Sequence, residues 1–267
     1  DAQVYLQSLL SNDIKLLNIN ESQYSSLCTP KGRLLALFLI IRTDKNTYQL
    51  ILPDGLCEPI KTRLTMYILR SKVTVANTSE NMICIGLTQD KPSLPINTSY
   101  HTLPSIFHRG IAITTTTEVD ALCNSLIQQH YQPMPQAYWE WLDITSGIAK
   151  IELETQEKFT PQQLNLDITE AVNFQKGCYP GQEVVARLHY LGKASRRLFT
   201  AKASTSVLPE TGSEILTTEG QMAGHIVSAQ QQGQDGLVCL VSIKLACYDS
   251  SLLIDQTPIT LTSGLVD

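Results

Sequence analysis

Gln175-Lys176-Gly177-Cys178-Tyr179-Pro180-Gly181-Gln182-Glu183 runs on into Val184-Val185-Ala186-Arg187-Leu188-His189-Tyr190-Leu191-Gly192-Lys193. Tyr179-Pro180-Gly181 reads as a tight turn. Proline presets φ at the first central position, and glycine accepts the positive φ that the second position of a type II turn needs. Beyond Gly181, Val184, Val185 and Leu188 fall on one helical face, and Glu183 and Arg187 have the spacing of a local ion pair. Cys178 is therefore expected just ahead of a helix N-terminus, with Lys176 close before it. Both features favour the thiolate, the form that attacks electrophiles and binds soft metals. A free cysteine is more commonly a small buried hydrophobe. Local chemistry alone makes Cys178 a candidate functional thiol and leaves both fates open.

Upstream of this stretch, helical and strand patterns alternate. Val4, Leu6, Leu9 and Leu10 predict a helix over 3–10. Leu34 to Arg42 is a continuous apolar run of strand length, and Asp44-Lys45-Asn46 turns it into a second strand over 47–52. Leu56, Ile60, Leu64 and Ile68 predict a helix over 55–69. Strands are expected at 72–77, 81–87 and 110–115, and a helix at 118–129. The proline-broken segment between 88 and 107 (Pro92, Pro95, Pro104) reads as a loop. Downstream, 196–203, 214–217, 222–229, 236–243 and 258–262 are short strand candidates separated by turns, with no strong helix among them. That pattern suits a small barrel or sandwich. The fold class expected is α+β with a small C-terminal β-barrel, divided into 1–192 and 193–267.

Composition narrows the function classes. In 267 residues, 43% are hydrophobic and 17% charged, as in a globular chain that buries a core. A net charge of −5 gives no global case for nucleic acid, so direct nucleic-acid binding is not expected. Seven cysteines without a Cys-x-x-Cys pair suggest reduced thiols in a reducing compartment, neither a disulfide framework nor a zinc site. The longest apolar run is too short to span a bilayer. No signal peptide is visible in the residues given. A cytoplasmic protein without membrane partners or a stably bound metal is the expectation.

Lys176-Gly177-Cys178-Tyr179, then Gly181-Gln182-Glu183, Ala186-Arg187 and Gly192-Lys193, resembles the hallmark of the YgfZ family, whose members resemble the folate-binding T-protein of glycine cleavage. The segments Phe159–Asp167, Thr29-Pro30-Lys31-Gly32-Arg33 and Ser71–Val75 are similar to further family segments. The resemblance implies a folate-binding T-protein-like core followed by a β-barrel, with an initial strand expected upstream of residue 1. It also implies tetrahydrofolate or a related folate as ligand. The function implied is accessory: support of iron–sulfur client enzymes, among them a radical tRNA-modifying enzyme, through the Lys-Gly-Cys-Tyr loop. The alternative is a folate-dependent aminomethyl transferase.

Several residues carry these expectations. Trp139 matches a tryptophan associated with folate in the family, although two tryptophans beside a helix are by chemistry alone core or interface. Thr145 is expected beside Trp139 as a folate-binding residue. It stands where relatives often carry a glutamate that would pair with the pterin amide edge, and its hydroxyl can accept one hydrogen bond but cannot supply a bidentate carboxylate. Leu35 and Ala36 stand where the T-protein has acidic residues, one of them serving methylene transfer. Without a carboxylate there the chain is not expected to be that enzyme. His189 is a candidate partner for Cys178. His101 and His108 are too isolated for a metal site. Lys193, Arg196 and Arg197 form a basic cluster that a folate tail or a phosphate could use, with a solvated turn as the ordinary alternative.

Overall fold

A computed structural model describes residues 1–88, 91–103, 107–192 and 194–264. Helix α1 (Ala2–Leu9) buries Tyr5, Leu6 and Leu9 on one face. It shares a core with an antiparallel sheet whose strands lie in the order β1 (Ser22–Cys28), β2 (Leu34–Asp44), β3 (Thr47–Ile51). Every residue from Leu34 to Ile41 is buried, because β2 is covered on both faces. Leu34, Ala36, Phe38 and Ile40 join the main core with α1 and with α2 (Asp54–Met66). Leu39 and Ile41 face the other way, onto Leu103, Ile111 and Ile113. Strands buried on two faces read as unbroken apolar runs, which is why this one was legible.

The second sheet has the order β4 (Met82–Thr88), β6 (Arg109–Thr115), β5 (Ser99–Thr102). Helix α3 (Val119–Gln128) covers it through Leu122 and Leu126, packed on Leu87 and Ala112. Helix α4 (Gln136–Thr145) follows, and α5 (Gln182–Tyr190) starts at the turn expected from Pro180 and Gly181.

Six strands then close a barrel: β7 (Arg196–Ala203), β8 (Glu214–Thr217), β9 (Met222–Gln231), β10 (Leu237–Lys244), β11 (Leu252–Ile254) and β12 (Thr257–Gly264). Along β10 the alternation assigns each residue a side. Leu237, Cys239, Val241 and Ile243 fill the barrel, while Val238 and Leu240 join the main core of the α+β part. Asn165 ties the two parts together, donating through Nδ2 to the Leu198 carbonyl at 3.0 Å and accepting from the Leu198 N–H at 3.2 Å. The fold is α+β with a small C-terminal barrel.

Some local expectations are corrected. Residues 72–77 form no strand; Val73 and Val75 instead pack, partly buried, on the main core. Within the expected 88–107 loop, Ser99–Thr102 pairs with β6. The sequence reading omitted β1 and β11 altogether. Gln230, just past the strand expected over 222–229, extends β9 and donates to Glu140 Oε2 at 2.7 Å. Pro104 and Lys193 lie outside the described residues.

Candidate functional site

The Cys178 loop is held at both ends. The Gln182 N–H donates to the Tyr179 carbonyl at 3.1 Å, and Gly181 has φ 82° and ψ −1°, a type II turn. A Cβ at Gly181 would sit 2.4 Å from the Thr29 carbonyl oxygen and 2.9 Å from the Gly32 backbone. The Pro180-Gly181 turn therefore rests directly on the Lys31-Gly32 turn. Tyr179 is buried, and burial pushes its phenol above the ordinary value. Between these anchors Gly177 and Cys178 are exposed. Cys178 opens into a shallow recess of about 440 Å³ bordered by Pro30, Gln182, Glu183 and Ala186.

Lys176 does not serve the thiol. Its side chain is buried, and Nζ donates to three carbonyl oxygens: Gln7 at 2.8 Å, Asn12 at 3.0 Å, and Leu10. These lie at the C-terminal end of α1, which has no basic residue in its own last turn. Such carbonyls lack helical partners and attract a cation. Desolvation pulls the ammonium down from 10.5 to about 8, with the Asp13 carboxylate opposing. The ammonium also lies 5.3 Å from the centroid of the Tyr179 ring. Lys176 is thus the tether of the loop, a correction to its expected role beside Cys178. Two neighbours are corrected as well. His189 stacks on Phe174 with centroids 3.7 Å apart, and no hydrogen bond joins it to Cys178 among the described residues. Glu183 and Arg187 are exposed and form no ion pair among the described residues, since hydration competes with such pairs.

All seven thiols are free, and Cys178 differs from the core ones. Burial pushes Cys28 and Cys239 up to about 12. At neutral pH, alkylation of Cys178 followed by mass spectrometry should outpace both by on the order of a hundredfold. Equal rates would remove the accessible-thiol reading.

A second feature lies between the two sheets, a cavity of about 830 Å³. Leu37, Leu39 and Tyr24 form one wall and Gly86 and Ile111 another, while α4 contributes Trp139 and Asp143. Its volume suits a small-molecule ligand. Trp139 has room because residue 86 is glycine: a Cβ there would come within 2.4 Å of the indole. The Arg109 guanidinium lies 4.8 Å from the centroid of the same ring. Asp143, one helical turn after Trp139, bonds Arg109 Nη1 through Oδ1 at 2.7 Å and Lys150 Nζ through Oδ2 at 2.6 Å. Burial, reinforced by the Asp143 charge, raises the Tyr24 phenol to about 12, so it remains a donor on the wall.

Thr145 is not part of that wall. It follows Asp143 by about 200° around the helix, and its hydroxyl donates back to the Trp141 carbonyl at 2.8 Å. The sequence reading missed Arg109, Asp143 and Lys150. The available signal was a carboxylate between Leu142 and Ile144 and a cation opening an apolar strand, charges set where neighbours demand burial. The basic cluster is partly consumed by structure, because Arg197 bonds both Asp167 oxygens, at 2.7 and 2.9 Å. His101 is buried and its pKa lowered by burial. Among the described residues no group of three or more His, Cys, Asp or Glu could hold a metal, and no helix is long and apolar enough to cross a membrane.

No family model matches the chain. It is 31% identical over 242 residues to an uncharacterized protein of Haemophilus influenzae, covering 86% of this chain and 78% of that protein. It is 27% identical to the tRNA-modifying protein YgfZ of Hamiltonella defensa, covering 91% and 78% respectively. With the tRNA-modifying protein YgfZ of Photobacterium profundum it shares 26% identity, covering 82% and 70%. In three dimensions it is similar to the glycine cleavage system aminomethyltransferase T from Bartonella henselae. The TM-score is 0.75 at 15% identity, over 98% of this chain and 80% of that one.

Proposed function

The chain belongs to the YgfZ family, and on that premise we propose that it is a folate-binding accessory protein supporting iron–sulfur enzymes, including a radical enzyme of tRNA modification, through Cys178. The observation that carries this reading is the presentation of one exposed thiol between two buried anchors, Lys176 and Tyr179. A loop so fixed holds its thiol for contact, not for packing. One cysteine cannot hold a cluster, which ordinarily needs about four ligands. Cys178 therefore acts transiently, on a client's sulfur chemistry. The experiment is deletion of the gene followed by assay of iron–sulfur enzymes. Undiminished activity in the deletion strain would remove the accessory role.

The cavity supports the ligand half of the proposal. It is lined largely by apolar groups, with Trp139 for a flat ring and polar groups that include the Asp143–Lys150 pair. A reduced folate fits that donor set; its chemistry when bound would be that of a one-carbon carrier or redox-active pterin. Trp139 fluorescence should fall on titration with tetrahydrofolate. Trp139→Ala should weaken binding by about 1 kcal/mol, the value of one aromatic contact. Unchanged affinity would return Trp139 to a purely packing role.

The fold is also that of an aminomethyl transferase, and for that reaction a carboxylate must handle a proton. At the expected positions Leu35 and Ala36 are apolar and buried, and the β2 residues on the cavity wall are Leu37 and Leu39. This favours the accessory reading.

A further inference from the structure

Among the polar groups of the cavity wall, which include Asp54, Glu140 and Glu152, one buried carboxylate and one ammonium are paired: Asp143 and Lys150. Asp143 shares its helix face with Trp139, and its side chain is only 7% exposed. A carboxylate offers about four lone-pair directions. Arg109 Nη1 takes one from Oδ1 and Lys150 Nζ one from Oδ2. Lys150, whose side chain is 36% exposed, has three N–H groups and directs one at Asp143. Both residues line the cavity. An acceptor and a donor thus stand 2.6 Å apart on the wall beside an indole, and Arg109 prevents the carboxylate from becoming an uncompensated buried charge.

We propose that Asp143 and Lys150 together read a lactam edge, an adjoining ring N–H and C=O, on a flat heterocycle bound against Trp139. The ring N–H donates to the Asp143 carboxylate, and the Lys150 ammonium donates to the carbonyl oxygen. The pair then decides ligand specificity. This inference rests on reading the cavity as a folate site, and it assigns recognition to residues outside the Cys178 loop and away from Thr145.

The test compares tetrahydrofolate with its 4-amino counterpart, tetrahydroaminopterin. The exchange turns the carbonyl acceptor into an amino donor and leaves the adjoining ring nitrogen without its hydrogen, so both contacts meet the wrong partner. Binding is measured by calorimetry on the full chain. Wild type should prefer the 4-oxo ligand by about a hundredfold, and Lys150→Met should reduce that preference by about tenfold. Asp143→Asn leaves Arg109 without its carboxylate and risks unfolding; Lys150→Met keeps the Arg109–Asp143 pair. A folded Lys150→Met protein with an unchanged preference would overturn the inference while leaving the folate reading intact. Failure of wild type to bind either ligand would overturn the folate reading and this inference with it.

Discussion

Replacing Lys176 by methionine should destabilise the protein by about 3 kcal/mol, measured by urea unfolding. Methionine fills much of the same volume but donates nothing. The carbonyls of Gln7, Leu10 and Asn12 then lose their shared donor, and the C-terminal end of α1 loses the cation bonded to it. Relief of the ammonium's desolvation offsets part of the loss, which is why the figure is not larger. The same substitution frees the start of the Cys178 loop, so limited proteolysis should cut near residue 177 in the variant and not in wild type. A variant as stable as wild type would mean that the tether is incidental.

Gly181→Ala is expected to cost about 2–4 kcal/mol by a different route. The backbone at 181 has φ 82°, a left-handed conformation that an L side chain adopts only with strain. The new methyl would also press on the Thr29 carbonyl at 2.4 Å and on Gly32 at 2.9 Å, backbone atoms that cannot rotate away. The two turns must separate, and Cys178 loses its fixed position. Gly177→Ala is the control, because a Cβ at 177 meets nothing within 4 Å. Thermal unfolding of the two variants side by side distinguishes a specific interlock from a general intolerance of substitution in this loop. Equal melting temperatures would rule the interlock out.

Sequence patterns revealed elements whose cause is local or repetitive. The run from Leu34 to Ile41, the turn at Pro180-Gly181 and most of the barrel strands were legible on those grounds. Strand β1 was not, because Ser25 and Ser26 look like surface residues. They are buried because Ser11 and Asn12 satisfy their hydroxyls: Ser26 Oγ donates to Ser11 Oγ at 2.8 Å, and the Asn12 N–H donates to Ser25 Oγ at 2.9 Å. Hydrophobic periodicity cannot register a strand buried through polar contacts. Lys176 was misread for a related reason. Its nearest notable neighbour in sequence is Cys178, whereas its partners are the carbonyls at the end of α1, 164 to 169 residues away in the chain. Thr145 drew attention by its place in a pattern. Helical geometry turns it away from the cavity and brings Asp143 to the wall instead.

The thiol itself is tested most directly in a strain that lacks this gene. Cys178→Ala, produced at wild-type level and with unchanged thermal unfolding, is introduced in place of the native chain. The readout is the activity of a tRNA-thiolating radical enzyme, followed as thiolated nucleoside in bulk tRNA. Alanine removes the sulfur and leaves the anchors at Lys176, Tyr179 and Gly181 untouched, so loss of activity cannot be assigned to loss of the loop. The expected result is activity no higher than in the deletion strain. Full restoration by Cys178→Ala would contradict a role for the thiol and leave the cavity as the protein's functional centre.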